Sequence, residues 1–175
     1  RRSPKNEDPN TNSHAIDMGI EPFLIASTLN TVIGQRLVRR VTEKRDIIRS
    51  SEIETAEINQ TIGDLLPGSE ADVEKVSSDL GYHNLPIKNS TNYSLAKGVD
   101  SSEAPNGYSG RAGIYETIDV DEDIQKLIVT HATAGDIMRL AKEKGTVTMR
   151  QDGMLKVLAG ITTIEEVNRV ASDLA

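Results

Sequence analysis

The stretch GYSGRAGIYETIDV, Gly107 to Val120, constrains this chain more than any other. Ala112, Ile114, Glu116, Ile118 and Val120 occupy alternate positions, the period-two pattern of a strand with one covered face. Glu116 alone interrupts that face, so its carboxylate must be buried with a partner or lie at an edge. Gly107, Gly110 and Gly113 supply backbone freedom for a turn into the strand. A glycine-rich phosphate loop is the competing reading. Such a loop delivers its amides from a helix N-terminus, whereas this one leads into a strand. A second strand is predicted at TVIGQRLVRRV, Thr31–Val41, where Val32, Ile33, Leu37, Val38 and Val41 interleave with Gln35, Arg36, Arg39 and Arg40.

The rest of the apolar residues are spaced for helices. Pro22 suits a first helical turn, followed by Phe23, Leu24, Ile25, Ala26 and Leu29. Beyond the Gly107 strand, Asp119 and Asp121 are read as caps of a helix carrying Ile124, Leu127, Ile128 and His131. Thr133 opens the next, with Ile137, Leu140 and Ala141 inward and Gly145 at its end. Thr148 opens a third through Met149, Met154, Leu155 and Leu158 to Gly160. Thr162-x-x-Glu165 and Thr163-x-x-Glu166 are overlapping capping boxes for the last, which buries Ile164, Val167, Val170 and Ala171.

Residues 42–106 are weakly apolar and read as an insertion of two helices and a loop. Ser51 caps the first helix, which carries Ile53, Ile58, Ile62, Leu65 and Leu66 and stops at Pro67-Gly68. Ser69 caps the second, with Val73, Val76 and Leu80 on one face and Gly81 at its end. Tyr82 to Asn106 is rich in Asn, Ser, Lys and Pro and is read as loop. Residues 1–13 are polar, with two prolines, and are read as a disordered tail. They carry no apolar stretch of a signal peptide, and the chain does not begin with Met, so a fragment or processed product is expected.

Composition excludes several functions. A net charge of −7 argues against general nucleic-acid binding, which requires a basic face. The absence of cysteine removes thiolate zinc sites, and His14, His83 and His131 lie too far apart for a histidine site. No segment approaches the roughly 20 apolar residues of a membrane span. No GxxxxGK[ST] and no G-x-S-x-G occurs. What stands out is Arg36, Arg39, Arg40 and Arg111 within an acidic chain. Arginine suits phosphate or carboxylate recognition; the alternative is an ion-pair network with Glu43, Glu116 and other carboxylates.

Three segments together resemble one family: MGIEPFLIASTLNTVIGQRLVRRV (Met18–Val41), GYSGRAGIYETIDVDEDIQKLI (Gly107–Ile128) and QDGMLKVLAGITTIEEVNRV (Gln151–Val170) look like the C-terminal part of the type II secretion and type IV pilus assembly ATPases. The resemblance implies an α+β fold, mainly helical, in which the two strands form an antiparallel ribbon extending a RecA-like sheet. A small zinc module separates those strands in the family. Its cysteine pairs would align with Thr42 and Arg45, and with Asp100 and Glu103, so no zinc is expected here. The family's phosphate loop, acidic box, Walker B strand and histidine box have no counterpart, apart from a remnant at Thr11–Ser13 with Asn10 where a histidine would stand.

The expectations are therefore residues 14–41 as helix and first strand, 42–106 as insertion, and 107–175 as return strand and helical subdomain. The resemblance implies partners in a RecA-like core, neighbouring subunits of a hexamer and an inner-membrane platform, with no nucleic acid and no membrane insertion. Gln35, Arg36, Arg39, Arg40, Arg111 and Glu116 are the expected core- or subunit-facing residues. The implied location is cytoplasmic, with peripheral attachment at the inner membrane. ATP and Mg²⁺ serve the intact family and no cofactor is expected in this chain, which should not hydrolyse ATP alone. A stand-alone adaptor that docks on a secretion ATPase, or one half of a split enzyme, are the other readings.

Overall fold

A computed structural model describes residues 22–171; the expected tail at 1–13 and the start of the first apolar segment lie outside them. The architecture is α+β, with two small antiparallel sheets among the described residues. The elements in order are α1 (Pro22–Thr28), β1 (Thr31–Val41), β2 (Arg45–Arg49), α2 (Glu52–Ile62), α3 (Val73–Asp79), β3 (Ser94–Gly98), β4 (Tyr108–Asp119), α4 (Glu122–Val129), α5 (Ala134–Glu143), α6 (Met149–Leu158) and α7 (Ile164–Ala171). β1 pairs with β4, and β2 pairs with β3. The chain divides into two compact units.

The first unit combines the described residues up to Ile33 with Thr117–Thr146. Ala26, Val120, Ile124, Ile128 and Ile137 form its buried core, with Leu29, Val32, Leu127 and Leu140 packed around them. Asp121 caps α4 by accepting from the Asp123 and Ile124 amides, both at 3.1 Å. Asp119 does not share that role: it ends β4, where it accepts from the Thr31 hydroxyl at 3.4 Å. Lys144 Nζ reaches Asp121 and Asp123, and those contacts hold both carboxyls below their ordinary range. His131 does not belong to the apolar stripe either. α4 ends at Val129, and His131 follows in the left-handed region (φ 54), exposed.

The second unit combines Gly34–Glu116 with the described residues from Val147. Its core includes Val38, Ile58, Ile62, Tyr93, Ile114, Met154, Leu155 and Val167. Ser51 and Glu54 form a capping box on α2. Ile58 and Ile62 are fully buried, whereas Ile53 is 81% exposed. Ile53 precedes Ile58 by five residues, which places it about 140° around a helix of 3.6 residues per turn. Ser69 bonds the Asp72 carboxylate rather than a helix amide, and a 3₁₀ turn, Glu70–Asp72, precedes α3.

The larger correction concerns the region read as loop. Ser94–Gly98 is a strand, paired in antiparallel register with Arg45–Arg49 from Arg45↔Gly98 to Arg49↔Ser94. Tyr93, Leu95 and Ala96 are buried, and the Tyr93 hydroxyl bonds Asn59. A five-residue strand whose partner lies about fifty positions away leaves little periodic signal, since its pairing is non-local.

Thr148 accepts from the Gln151 amide at 3.3 Å while Gln151 Oε1 accepts from the Thr148 amide at 2.9 Å. Thr148→Ala should therefore lower stability by about 1 kcal/mol in urea denaturation. A midpoint indistinguishable from that of the unsubstituted chain would mean the box is not formed in solution.

Candidate functional site

Alternation along β1 decides where its arginines point. Val38 is fully buried and Gln35, Leu37 and Arg39 face outward. Arg39 nonetheless meets a buried acid, because α7 runs past the ribbon. Its backbone N–H donates to Glu166 Oε2 at 2.8 Å, its Nε to Oε1 at 2.9 Å, and its NH2 lies 2.7 Å from Oε1. Arg169, one turn along α7, donates Nε to Oε1 at 2.9 Å and NH2 to Oε2 at 2.7 Å.

Glu166 is 1% exposed. Hydrogen bonding from Arg169 lowers its pKa most, burial opposes the fall, and the Arg39 side chain and amide add to it. The result is about 2. A carboxylate held this way is saturated with donors and organises the arginines instead of abstracting protons.

Further contacts secure the same corner. The Arg39 guanidinium lies 4.2 Å from the Tyr108 ring centroid, and the Tyr108 hydroxyl meets the Thr163 hydroxyl at 2.8 Å. Thr162 donates to the Arg39 carbonyl at 2.9 Å. So the overlapping capping boxes divide their work. Thr163 accepts from the Glu166 amide at 3.4 Å, but the Glu166 carboxylate turns to the arginines instead of back to the cap. Beside this corner lies a cleft of about 670 Å³ whose lining includes Arg39, Tyr108, Asn106, Lys97, Ile48 and Glu165.

The remaining expected residues do not gather into one patch. Arg36 is half-buried and donates to the Val170 carbonyl at 2.5 Å. Arg40 and Arg111 are exposed and form no ion pair among the described residues. Gln35 donates to the Tyr115 hydroxyl at 3.3 Å. Glu116, half-buried, accepts from the Met149 amide at 3.1 Å and so closes the first turn of α6. The ion-pair alternative holds in kind for Arg39, with Glu166 as the acid in place of Glu43 or Glu116.

The glycines also separate. Gly107 is buried in the left-handed region (φ 79), and Gly110 is left-handed but open on its missing side chain's face. A Cβ at Gly113 would lie 2.4 Å from the hydroxyl of the exposed Tyr115, so a larger residue there would displace that ring rather than the backbone.

The residues aligned with the family's zinc ligands do not fit a metal. The Thr42 amide donates to the Gly107 carbonyl at 3.0 Å, and Arg45 donates to the Gly160 carbonyl at 2.7 Å. Asp100 accepts from the Asn106 amide at 2.6 Å. A guanidinium offers no lone pair to a cation, and no group of three potential ligands occurs among the described residues. Backbone contact closes this junction instead: Gly98 and Gly107 approach so closely that a side chain on either would overlap the other.

Glu166, Tyr108 and Thr163 were not singled out as site residues from sequence. Arg169 at i+3 from Glu166 was the available signal, but it reads equally as an exposed helical ion pair.

A family model for "Type II/IV secretion system protein" matches residues 8–169. The chain is 36% identical over 152 residues to a type IV pilus assembly ATPase of Thermus thermophilus, a match covering 86% of this chain and 14% of that protein. It is 31% identical over 161 residues to a type II secretion system protein E of Xanthomonas campestris, covering 90% and 24%. A type IV pilus assembly ATPase of Pseudomonas aeruginosa is 27% identical over 168 residues, covering 96% and 25%. The chain thus spans a quarter or less of the length of these relatives.

Proposed function

This chain belongs to the type II/IV secretion system protein family, and from that premise we propose that it is the C-terminal portion of an ATPase that powers type IV pilus assembly or type II protein secretion. In this role it performs no phosphoryl transfer itself. It packs on a RecA-like ATP-binding core and passes the nucleotide state to neighbouring subunits of a hexameric ring at the cytoplasmic side of an inner-membrane platform. ATP and Mg²⁺ belong to the core, because these 175 residues contain no GxxxxGK[ST] to position them.

One observation carries this reading. The chain matches only a small share of each relative, yet the outer face of its β1–β4 ribbon leaves Leu37 46% and Tyr115 44% exposed beside Gln35. Large apolar side chains on a sheet face are what a further layer would cover. The same face carries Arg39 and Arg111, and the Glu166 corner fixes the first of these.

Two measurements test the proposal. The pure 175-residue chain should show no Mg²⁺-dependent ATP turnover above buffer; sustained turnover would refute it. Mixed with a separate chain bearing a family phosphate loop, it should form a complex that Leu37→Asp weakens at least ~tenfold, the order expected for placing a carboxylate against an apolar layer. Equal binding by the variant would move the contact off this face.

A further inference from the structure

Among the described residues β2 pairs only with β3, which leaves its other edge free. The Val99 amide donates to the Lys44 carbonyl and the Ser50 amide to the Tyr93 carbonyl, both at 2.9 Å. These contacts bracket the register from Arg45↔Gly98 to Arg49↔Ser94. In an antiparallel pair, backbone groups alternate between facing the partner and facing away. Lys44, Asp46, Ile48 and Ser50 therefore turn their amides and carbonyls toward β3. Arg45, Ile47 and Arg49 turn theirs outward.

All five residues of β2 are exposed, and Ile47 is 66% exposed. The result is an open row of donors and acceptors flanked by arginines, with an uncovered isoleucine between them. Sheet edges of this kind accept an added strand.

The charges select the occupant. Arg45, Ile47 and Arg49 share one side of the strand, with Lys44 next to them. A second copy of β2 pairing antiparallel about Ile47 would set Arg45 directly against Arg49, which is unfavourable across a ladder. A strand with acid, apolar and acid residues at alternate positions would place carboxylates opposite both arginines and an apolar side chain opposite Ile47. Arg45 and Arg49 each use NH1 for a local bond, to the Gly160 carbonyl and to Asn92 Oδ1, which leaves the remaining guanidinium N–H groups for such carboxylates.

We propose that the outer edge of β2 is a docking site for an extended acidic segment of a partner protein, added as a third strand. The site is separate from the β1–β4 face and does not depend on how that face is used.

The test uses the 175-residue chain and a fluorescein-labelled synthetic peptide alternating Glu and Val, with a Lys–Val peptide as control. Saturable binding of the acidic peptide is expected, at least ~tenfold tighter than the basic one, and weakening with salt. Peptide should also slow hydrogen exchange at the Ile47 amide. Ile47→Pro removes that outward N–H while leaving the bonds to β3 intact, so its melting should stay near that of the unsubstituted chain and its peptide binding should fall at least ~tenfold. Arg49→Glu, at an exposed side chain, should reverse the preference between the peptides and serves if the proline variant does not fold. Equal affinity for both peptides, unaltered binding by folded Ile47→Pro, or concentration-dependent self-association lost in that variant would each overturn the proposal.

Discussion

Replacing Gly98 by alanine is expected to destabilise the second unit by at least about 3–5 kcal/mol, enough to unfold a domain of ordinary stability. A Cβ at Gly98 would lie 1.8 Å from the Gly107 carbonyl oxygen and 2.6 Å from its carbonyl carbon. The obstacle is backbone, so no side-chain rotation relieves it. Gly107→Ala meets the reciprocal clash, 2.3 Å from the Gly98 carbonyl oxygen, and adds the strain of a left-handed φ of 79.

The contact joins the end of β3 to the start of β4, where the family's zinc ligands would align. Its loss should separate the β2–β3 pair from the β1–β4 ribbon. Gly63→Ala is the control: nothing lies within 4 Å of a Cβ there and its φ is −54, so alanine should be neutral or stabilise by up to about 1 kcal/mol. Urea denaturation of the three variants checks the argument. If Gly98→Ala unfolds at the same midpoint as the Gly63 control, the two backbones do not meet in solution. Thr42, Arg45 and Asp100 offer no thiolate set for zinc, so a chelator should leave the unsubstituted chain's midpoint unchanged.

Glu166→Gln carries the second large effect. The carboxylate is buried and its folded-state pKa, about 2, lies below the ordinary 4.5. As pH falls, the unfolded chain therefore takes up the proton first. The stabilisation is fully present above about pH 4.5 and is lost as pH falls toward 2. A displacement of this size corresponds to about 3 kcal/mol at neutral pH. Glutamine keeps the shape but not the charge, and leaves Arg39 and Arg169 short of an acceptor. The variant should be less stable by about 3 kcal/mol at pH 7, with the gap closing steadily below pH 4.5. Parallel stability–pH curves for the two proteins would show that Glu166 is not held as an anion in this corner.

Both effects sit where sequence reading is weakest. The Gly98–Gly107 approach joins two glycines that sequence marks only as places of freedom. Sequence places Gly107 in a turn and Gly98 in a loop. Which backbones meet is a property of the packed chain. Glu166 was read through its immediate neighbours, where Thr163-x-x-Glu166 is a sound capping pattern. The Thr163 half of that pattern is made, and the Glu166 half is displaced by an arginine 127 positions earlier. A local motif contributes little compared with a buried charge left unpaired, so the tertiary partner prevails.

Ile53 and β3 show a different kind of failure. Ile53 was counted with the apolar stripe although its angular position lies off it. β3 is five residues long, and its character comes from its register with β2 rather than from its own periodicity.

By itself, the sequence determined the features set by local periodicity and chain chemistry: the long strands, the starts of α2, α5 and α6, and the family. Alternation and capping act between residues a few positions apart, so they are written in the order of the chain. Only the tertiary structure decided that Arg39 and Arg169 share one buried carboxylate, that two glycine backbones close the junction, and that β2 keeps an open edge among the described residues. Those depend on which distant segments exclude water from each other, and removal of water is what sets the cost of an unpaired charge, an overlapping Cβ or an unsatisfied amide.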